Sequence, residues 1–104
     1  MKVVELTQNT KPGEFVRVYD NVNSGQAGSW IMKGEDIAGL TPQQIQNKFA
    51  LPTTPTHVTD VTLEAGTQLR IGTANGLFGY EGGGTQFDMM GQRVGEFTNG
   101  RLLP

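Results

Sequence analysis

The spacing of apolar residues predicts a chain built mainly from short β-strands. In segment 15–19, side chains alternate between the two faces of a strand, so that Arg17 and Tyr19 share one face with Phe15. The valines between them share the opposite face. Similar runs predict further strands at Val3–Leu6, Ser29–Met32, His57–Leu63, Gln68–Thr73, Thr85–Met90 and Val94–Phe97. The glycine, proline and asparagine clusters between these runs are typical of turns and loops.

One segment carries the signals of an α-helix. Thr41 is a good N-cap residue, Pro42 suits the first helical position, and Gln44 stands where a capping box places its Glu or Gln. Ile45 and Phe49 then form the apolar stripe, and a Leu-Pro pair ends the helix. The pattern as a whole predicts an α+β fold, a small and mostly antiparallel β domain with one short helix.

Size, charge and cysteine content limit the functions that the chain can have. A sequence of 104 residues is expected to form a single domain, 1–104, with one modest core. The absence of cysteine excludes disulfides and thiolate chemistry. A net charge of −2, with eight dispersed Lys and Arg residues, is not the basic footprint of a nucleic-acid binder. No run of residues reaches the length of an apolar membrane span.

The three consecutive glycines Gly82–Gly84, called the glycine segment below, run directly into a predicted strand. Ordering such a run is costly, which predicts that bare backbone approaches a ligand, a partner or another strand. Together with Thr85, Gly82, Gly83 and Gly84 could offer N–H groups to phosphates. The segment is no P-loop, because no Gly-Lys-Ser/Thr follows and no helix is predicted after it. Gln86 at the strand entrance either faces solvent or binds a carboxamide or a water.

A few single side chains could carry chemistry. Arg17 either faces solvent or presents its guanidinium to an anion, and Trp30 either fills the core or offers a stacking platform. His57, the only histidine, is either structural or a single acid/base group. With no second histidine and no cysteine, a zinc site is not expected. Among scattered carboxylates, Glu81 and Asp88 are closest to the glycine segment.

Taken in order, these pieces resemble a known family. An arginine lies on an early strand, and a helix closes in Ala50-Leu51-Pro52. A Pro55-Thr56-His57-Val58 strand start follows, and then Gly72 through Phe87 with its Gly-Gly-Gly-Thr-Gln-Phe ending. Over roughly residues 15–90 the chain resembles the NAD-glycohydrolase toxin domain named for the tuberculosis necrotizing toxin.

The resemblance implies a function and a setting. Members of that family cleave NAD⁺ to nicotinamide and ADP-ribose without a metal, so NAD(P)⁺ would be the substrate and no cofactor would be needed. They form the C-terminal toxin domain of large secreted bacterial proteins, including contact-dependent inhibition and other polymorphic toxins. They act in the cytoplasm of the target cell, without membrane insertion, and a cognate immunity protein neutralises them.

The resemblance also implies a set of site residues. Arg17, His57 and Gln86 would be catalytic, and the arginine would hold the pyrophosphate together with the glycine segment. Trp30 or Phe78 would stack on nicotinamide. The residues implied for dinucleotide binding are Trp30, Phe78, Gly82, Gly83, Gly84 and Thr85, and no metal ligand is implied. Glu81 or Asp88 would stabilise the cationic ribose.

Two other interpretations remain open at this point. A metal-independent ribonuclease that cleaves tRNA could use His57, Arg17 or Arg70, Thr85 and Tyr80 for acid/base work and phosphate contacts. The acidic net charge and the lack of a second histidine argue against it. The third interpretation is a binding module without chemistry, in which the glycine segment is only a bulged loop.

Overall fold

The fold combines two β-sheets with one α-helix in a computed structural model that describes residues 2–22, 24–74, 76, 80, 82–90 and 95–103. Helix α1 spans Pro42–Phe49, and a 3-10 turn, Gly34–Asp36, precedes it. The strands are β1 (Lys2–Glu5), β2 (Phe15–Tyr19), β3 (Trp30–Lys33), β4 (His57–Leu63), β5 (Gln68–Thr73), β6 (Thr85–Asp88) and β7 (Gly95–Leu102). Within these ranges, no helix is long and apolar enough to cross a membrane.

Every pairing between these strands is antiparallel. The four-stranded sheet has the order β1-β5-β6-β3, and the three-stranded sheet has the order β2-β4-β7. Strand β2 is therefore an edge strand, and it packs beside β3, the edge strand of the other sheet. The predicted α+β class, mostly antiparallel β with a short helix, is confirmed.

Most strand boundaries agree with the apolar pattern, and β7 is the main exception. The pattern predicted a short pairing segment at Val94–Phe97, whereas β7 continues to Leu102. Asn99 and Gly100, residue types that are common in turns, lie within this strand, and Asn99 adopts a left-handed φ of 56°. The sheet accommodates it, because the pairing register with β4 shifts between Val58 and Asp60. The connection between the strands predicted at Thr85–Met90 and Val94–Phe97 lies outside the described residues.

Strand β2 is buried on both faces, and this explains its composition. Phe15 belongs to one apolar cluster, where its ring meets Phe87 edge-on at a centroid distance of 5.1 Å. Val16 and Val18 belong to a second cluster. The other buried members of that second cluster are Met32, Ile45, Phe49 and Val58. Arg17, which shares its face with Phe15, is consequently drawn into a half-buried position.

The capping box predicted for the helix is present. The hydroxyl of Thr41 accepts from the Gln44 backbone N–H at 3.2 Å, and the Gln44 side chain accepts from the Thr41 N–H at 2.8 Å. Ile45 and Phe49 are buried as expected. Ala50 is the C-cap of the helix, and its left-handed φ of 49° turns the chain away.

The glycine segment packs against this end of the helix. The N–H of Gly82 donates to the carbonyl of Asn47 at 2.8 Å, and that of Gly84 donates to the carbonyl of Lys48 at 2.9 Å. A Cβ on Gly84 would lie 2.6 Å from the Phe49 ring, so the close approach requires glycine. The segment thus satisfies carbonyls that a helix C-terminus otherwise leaves without partners.

Replacing Gly84 with alanine should destabilise the fold. The added methyl collides with the ring of Phe49, which is fully buried and cannot move aside, so we expect a loss of about 1–3 kcal/mol in the free energy of unfolding. Urea denaturation measures this loss. Gly25→Ala is the matched control, because no atom lies within 4 Å of its added Cβ. Equal stability of the two variants would contradict the packing described for the glycine segment.

Candidate functional site

A cavity of about 340 Å³ opens where the two sheets and the end of the helix meet. Arg17 and Tyr19 line it from β2. Trp30 lines it from β3 and Gln86 from β6, while segment 49–53 lines it from the end of α1. Residues from widely separated parts of the sequence therefore converge on this one space.

Arg17 is the cation of the cavity, and backbone groups hold its side chain in place. Its Nε donates to the carbonyl of Gly25 and its Nη1 to the carbonyl of Trp30, each at 3.1 Å. It forms no ion pair with any residue that the structure describes. Burial lowers the pKa of the Arg17 guanidinium, but an arginine keeps its charge in proteins. Its Nη2 group has no hydrogen-bond partner within the described chain, which leaves it available to an anion.

Gly28 sets the space that the guanidinium occupies. A Cβ at this position would lie 2.4 Å from the Cζ atom of Arg17, which is far inside contact distance. Only glycine therefore lets the backbone approach the flat guanidinium this closely.

Trp30 is 44% exposed, so it does not fill the core. Trp30 lines the cavity, and its own carbonyl accepts from Arg17. Together with Tyr19 and the Leu51-Pro52 pair it gives the cavity an apolar lining beside the cation. A flat aromatic ring could stack against such a surface.

Gln86 is half-buried and has hydrogen-bonding capacity to spare. Its Nε2 makes one long contact, 3.5 Å to the carbonyl of Phe49. Its side-chain oxygen has no partner elsewhere in the described residues. An amide that lines a cavity with an unused acceptor and a weakly used donor can bind a ribose hydroxyl, a carboxamide or a water.

His57 lies behind the cavity wall. Its ring stacks on Tyr19 with centroids 5.2 Å apart, and its Nδ1 lies 2.7 Å from the hydroxyl of Thr56. Tyr19 lines the cavity, but His57 does not. His57 therefore contacts a residue of the cavity lining but does not line the cavity itself, whereas Arg17, Trp30 and Gln86 do. Its catalytic role stays a prediction.

The positions of the glycine segment and Thr85 differ from the prediction. The N–H groups of Gly82, Gly83 and Gly84 all donate to protein carbonyls, those of Asn47, Ala74 and Lys48 respectively. They are thus not free to bind phosphates, which corrects the role predicted for these amides. Thr85 is exposed on β6 and does not line the cavity. Phe78 lies outside the described residues.

Of the two predicted carboxylates, Asp88 is described by the structure, and it does not line the cavity. Asp88 forms an ion pair with Arg70 at 2.8 Å and accepts from the backbone N–H of Met90. Neither Asp88 nor Arg70 lines the cavity, so the geometry gives no support to Asp88 as the group that stabilises the cationic ribose. Glu81 lies outside the described residues.

Two further contributors were missed by the sequence reasoning. Asp20 and Ser24 also line the cavity, and the Asp20 carboxylate accepts from the backbone N–H groups of Val22 at 3.0 Å and Ser24 at 2.9 Å. An aspartate that opens a loop rich in Asn, Ser and Gly is a sequence signal for such a turn. The close contact of Gly28 with Arg17 has no comparable local signal.

Comparison with known proteins gives a fold relationship. No protein-family model and no curated protein matches the sequence. A solved structure that does match is that of Tne2 in complex with Tni2, with a TM-score of 0.69 and 20% sequence identity. The match covers 98% of this chain and 94% of that chain. It shows that the two share a fold over nearly their whole lengths.

Replacing Gly28 with alanine should displace the guanidinium without unfolding the domain. The new methyl would overlap the far end of a flexible side chain, so Arg17 would swing away and lose both carbonyl contacts. We expect the circular dichroism spectrum of the wild type and at least about tenfold weaker binding of inorganic pyrophosphate, measured by titration calorimetry. Gln43→Ala, on the exposed side of α1 and away from the cavity, should bind as the wild type does. Undiminished binding by the Gly28 variant would contradict the assignment of Arg17 as the anion-binding group.

Proposed function

We propose that this chain is a toxin domain that hydrolyses NAD(P)⁺ to nicotinamide and ADP-ribose. The observation that carries the proposal is the convergence of Arg17, Trp30 and Gln86 on one cavity. These residues supply a charged fork, an aromatic surface and an amide, which are the groups needed to bind phosphate, pyridine ring and ribose. The resemblance to the NAD-glycohydrolase toxin family, stated above from the sequence motifs, points to the same residues.

The reaction mainly requires that the reactants be positioned and that the cationic ribose be stabilised electrostatically. The bond between the ribose C1′ and the nicotinamide nitrogen breaks, its electron pair stays with nicotinamide, and the ring leaves as a neutral molecule. Water then bonds to C1′ and releases one proton, giving ADP-ribose. Little acid catalysis is needed for a neutral leaving group, so orientation of the reactants and stabilisation of the cationic ribose dominate.

Each cavity residue has a role in this proposal. Arg17, held by the carbonyls of Gly25 and Trp30, binds the pyrophosphate through its unused Nη2. The ring of Trp30 stacks on nicotinamide. Gln86 orients the ribose or the attacking water with the hydrogen-bonding groups that the fold leaves available. The ring of His57 stacks on the ring of Tyr19 and supports the part of the cavity wall that Tyr19 forms.

A protein partner also belongs to the proposal. Tne2, which shares this fold, was solved in complex with Tni2. We propose that this domain likewise binds a second protein, a cognate immunity protein. The domain would be secreted as part of a larger effector and would act in the cytoplasm of the target cell.

The ribonuclease interpretation receives less support. Its second arginine, Arg70, is paired with Asp88 and does not line the cavity. Thr85 and Tyr80 do not line it either. Arg17 is the only basic side chain that lines the cavity within the described residues, whereas RNA recognition is dominated by phosphate neutralisation.

Nicotinamide release from NAD⁺ and NADP⁺ tests the proposal directly. Arg17→Ala and Gln86→Ala should each lower kcat/KM by about 10²-fold or more, because each removes a preorganised contact to the reacting dinucleotide. Both variants should keep the circular dichroism spectrum of the wild type. Gln43→Ala, on the exposed side of α1, is the matched control and should retain full activity.

Parallel incubation of the wild type with total tRNA separates the three interpretations. Nicotinamide release with intact tRNA supports the proposed hydrolase. RNA fragments without nicotinamide would establish the ribonuclease, and neither product would indicate a binding module. Full NAD⁺ hydrolysis by both cavity variants would also overturn the proposed site.

Production in a bacterial cytoplasm tests the toxin assignment. We expect the wild-type domain to arrest growth and deplete cellular NAD⁺, and Arg17→Ala to do neither at equal protein level. Enzymatic cycling assays of cell extracts measure the nucleotide pool. Normal growth with an undiminished pool, despite soluble wild-type domain, would contradict the assignment.

A further inference from the structure

The segment 24–29 presents the acceptor for the Nε of Arg17 but is itself poorly buried. Gly25 supplies the carbonyl that accepts from Arg17 Nε at 3.1 Å. Gly25, Gln26 and Ala27 are all exposed, so apolar burial does little to hold this part of the loop. Hydrogen bonds to the rest of the protein must therefore determine where the Gly25 carbonyl lies.

On one side of Gly25, the Ser24 N–H donates to the Asp20 carboxylate, and on the other side the side chain of Gln26 donates to the three-stranded sheet. Its Nε2 donates to the hydroxyl of Thr59 on β4 at 3.1 Å and to the carbonyl of Phe97 on β7 at 3.4 Å. Gln26 is the immediate neighbour of Gly25 in the chain. A residue on the loop surface is thus connected to two strands of the sheet, directly beside the carbonyl that holds Arg17.

The direction of the hydrogen bond between Gln26 and Thr59 is determined by a third group. Thr59 is fully buried, and its hydroxyl lies 2.7 Å from the carbonyl of Thr98, which can only accept. The single hydroxyl hydrogen is used there, so the hydroxyl must accept from Gln26. The Phe97 carbonyl also requires a donor. Position 26 therefore needs an amide N–H, and a carboxylate of the same shape cannot replace it.

Strand β7 leaves room for this amide. A Cβ on Gly100 would lie 3.1 Å from Nε2 of Gln26 and 2.8 Å from the hydroxyl of Tyr19. A side chain at position 100 would press on both the amide and the ring that lines the cavity. Gly100 is thus part of the same arrangement.

We propose that Gln26 is a positioning residue for Arg17, an inference that rests on the proposed function, in which Arg17 binds the substrate phosphates. Through its bonds to Thr59 and Phe97, Gln26 fixes the Gly25 carbonyl, and the carbonyl fixes the guanidinium. Without Gln26, Arg17 keeps its charge but loses its fixed orientation. Binding of the phosphates then weakens, because the side chain must be ordered at the moment of binding.

Trp30, the only tryptophan, reports on this site without any need for turnover. It lines the cavity, and its carbonyl accepts from Arg17, so its fluorescence should respond when inorganic pyrophosphate binds. We expect Gln26→Ala to weaken pyrophosphate binding about tenfold, on the scale of one charge-assisted hydrogen bond. Gln26→Glu should be at least as weak, since it lacks the donor, and Gln43→Ala should be unchanged.

Two further measurements separate positioning from a merely structural role. With NAD⁺ as substrate, Gln26→Ala should raise KM about tenfold while kcat changes less than about twofold. In an Arg17→Ala background the Gln26 substitution should have no further effect on pyrophosphate binding. Gln26→Met, of similar length but without a donor, should reproduce the Gln26→Ala result. Agreement between the two variants would exclude a simple loss of packing as the cause.

The outcomes are distinct. Equal pyrophosphate affinity in the wild type and in Gln26→Ala overturns the positioning role and leaves the proposed function standing. Wild-type affinity in Gln26→Glu overturns the requirement for a donor. Absence of pyrophosphate binding in the wild type removes the anion site itself, and the proposed function falls together with the inference.

Discussion

The rest of the site depends on the hydrogen bonds from the half-buried guanidinium of Arg17 to backbone carbonyls. Taking a charged side chain out of water is costly, and a carboxylate is the usual compensation. Here backbone carbonyls from the following loop and from the start of β3 take that place. Carbonyls satisfy the N–H groups without neutralising the charge, so the cavity keeps a positive group that a paired arginine would not offer.

Much of the fold could be predicted because its signals are local. The alternation in β2 and the Thr41–Gln44 capping box depend on neighbouring residues, and both are observed. The full length of β7 could not be predicted, because Asn99 reads as a turn residue and only pairing with the irregular part of β4 keeps it in a strand. Tertiary pairing outweighs local preference at such positions.

The candidate site, like the fold, could be predicted only in part. Arg17, Trp30 and Gln86 stand out as residue types in suggestive positions, and the cavity does bring them together. The glycine segment misled the sequence reasoning, because a triple glycine shows that backbone approaches something closely but does not show what it approaches. In this protein it approaches the last turn of the helix. The segment still serves the cavity indirectly, since it packs against Phe49, whose carbonyl is in contact with Gln86.

The walls of the cavity come from β2, β3, the end of α1 and β6, and hence from positions spread between residues 17 and 86. No short stretch of the chain contains even a rudimentary version of the site. Contacts between such distant segments form late, after the entropy of closing long loops has been overcome. A nascent or partly unfolded chain therefore carries no preformed pocket, and a cell that makes it would be exposed to whatever the pocket does only once folding is complete.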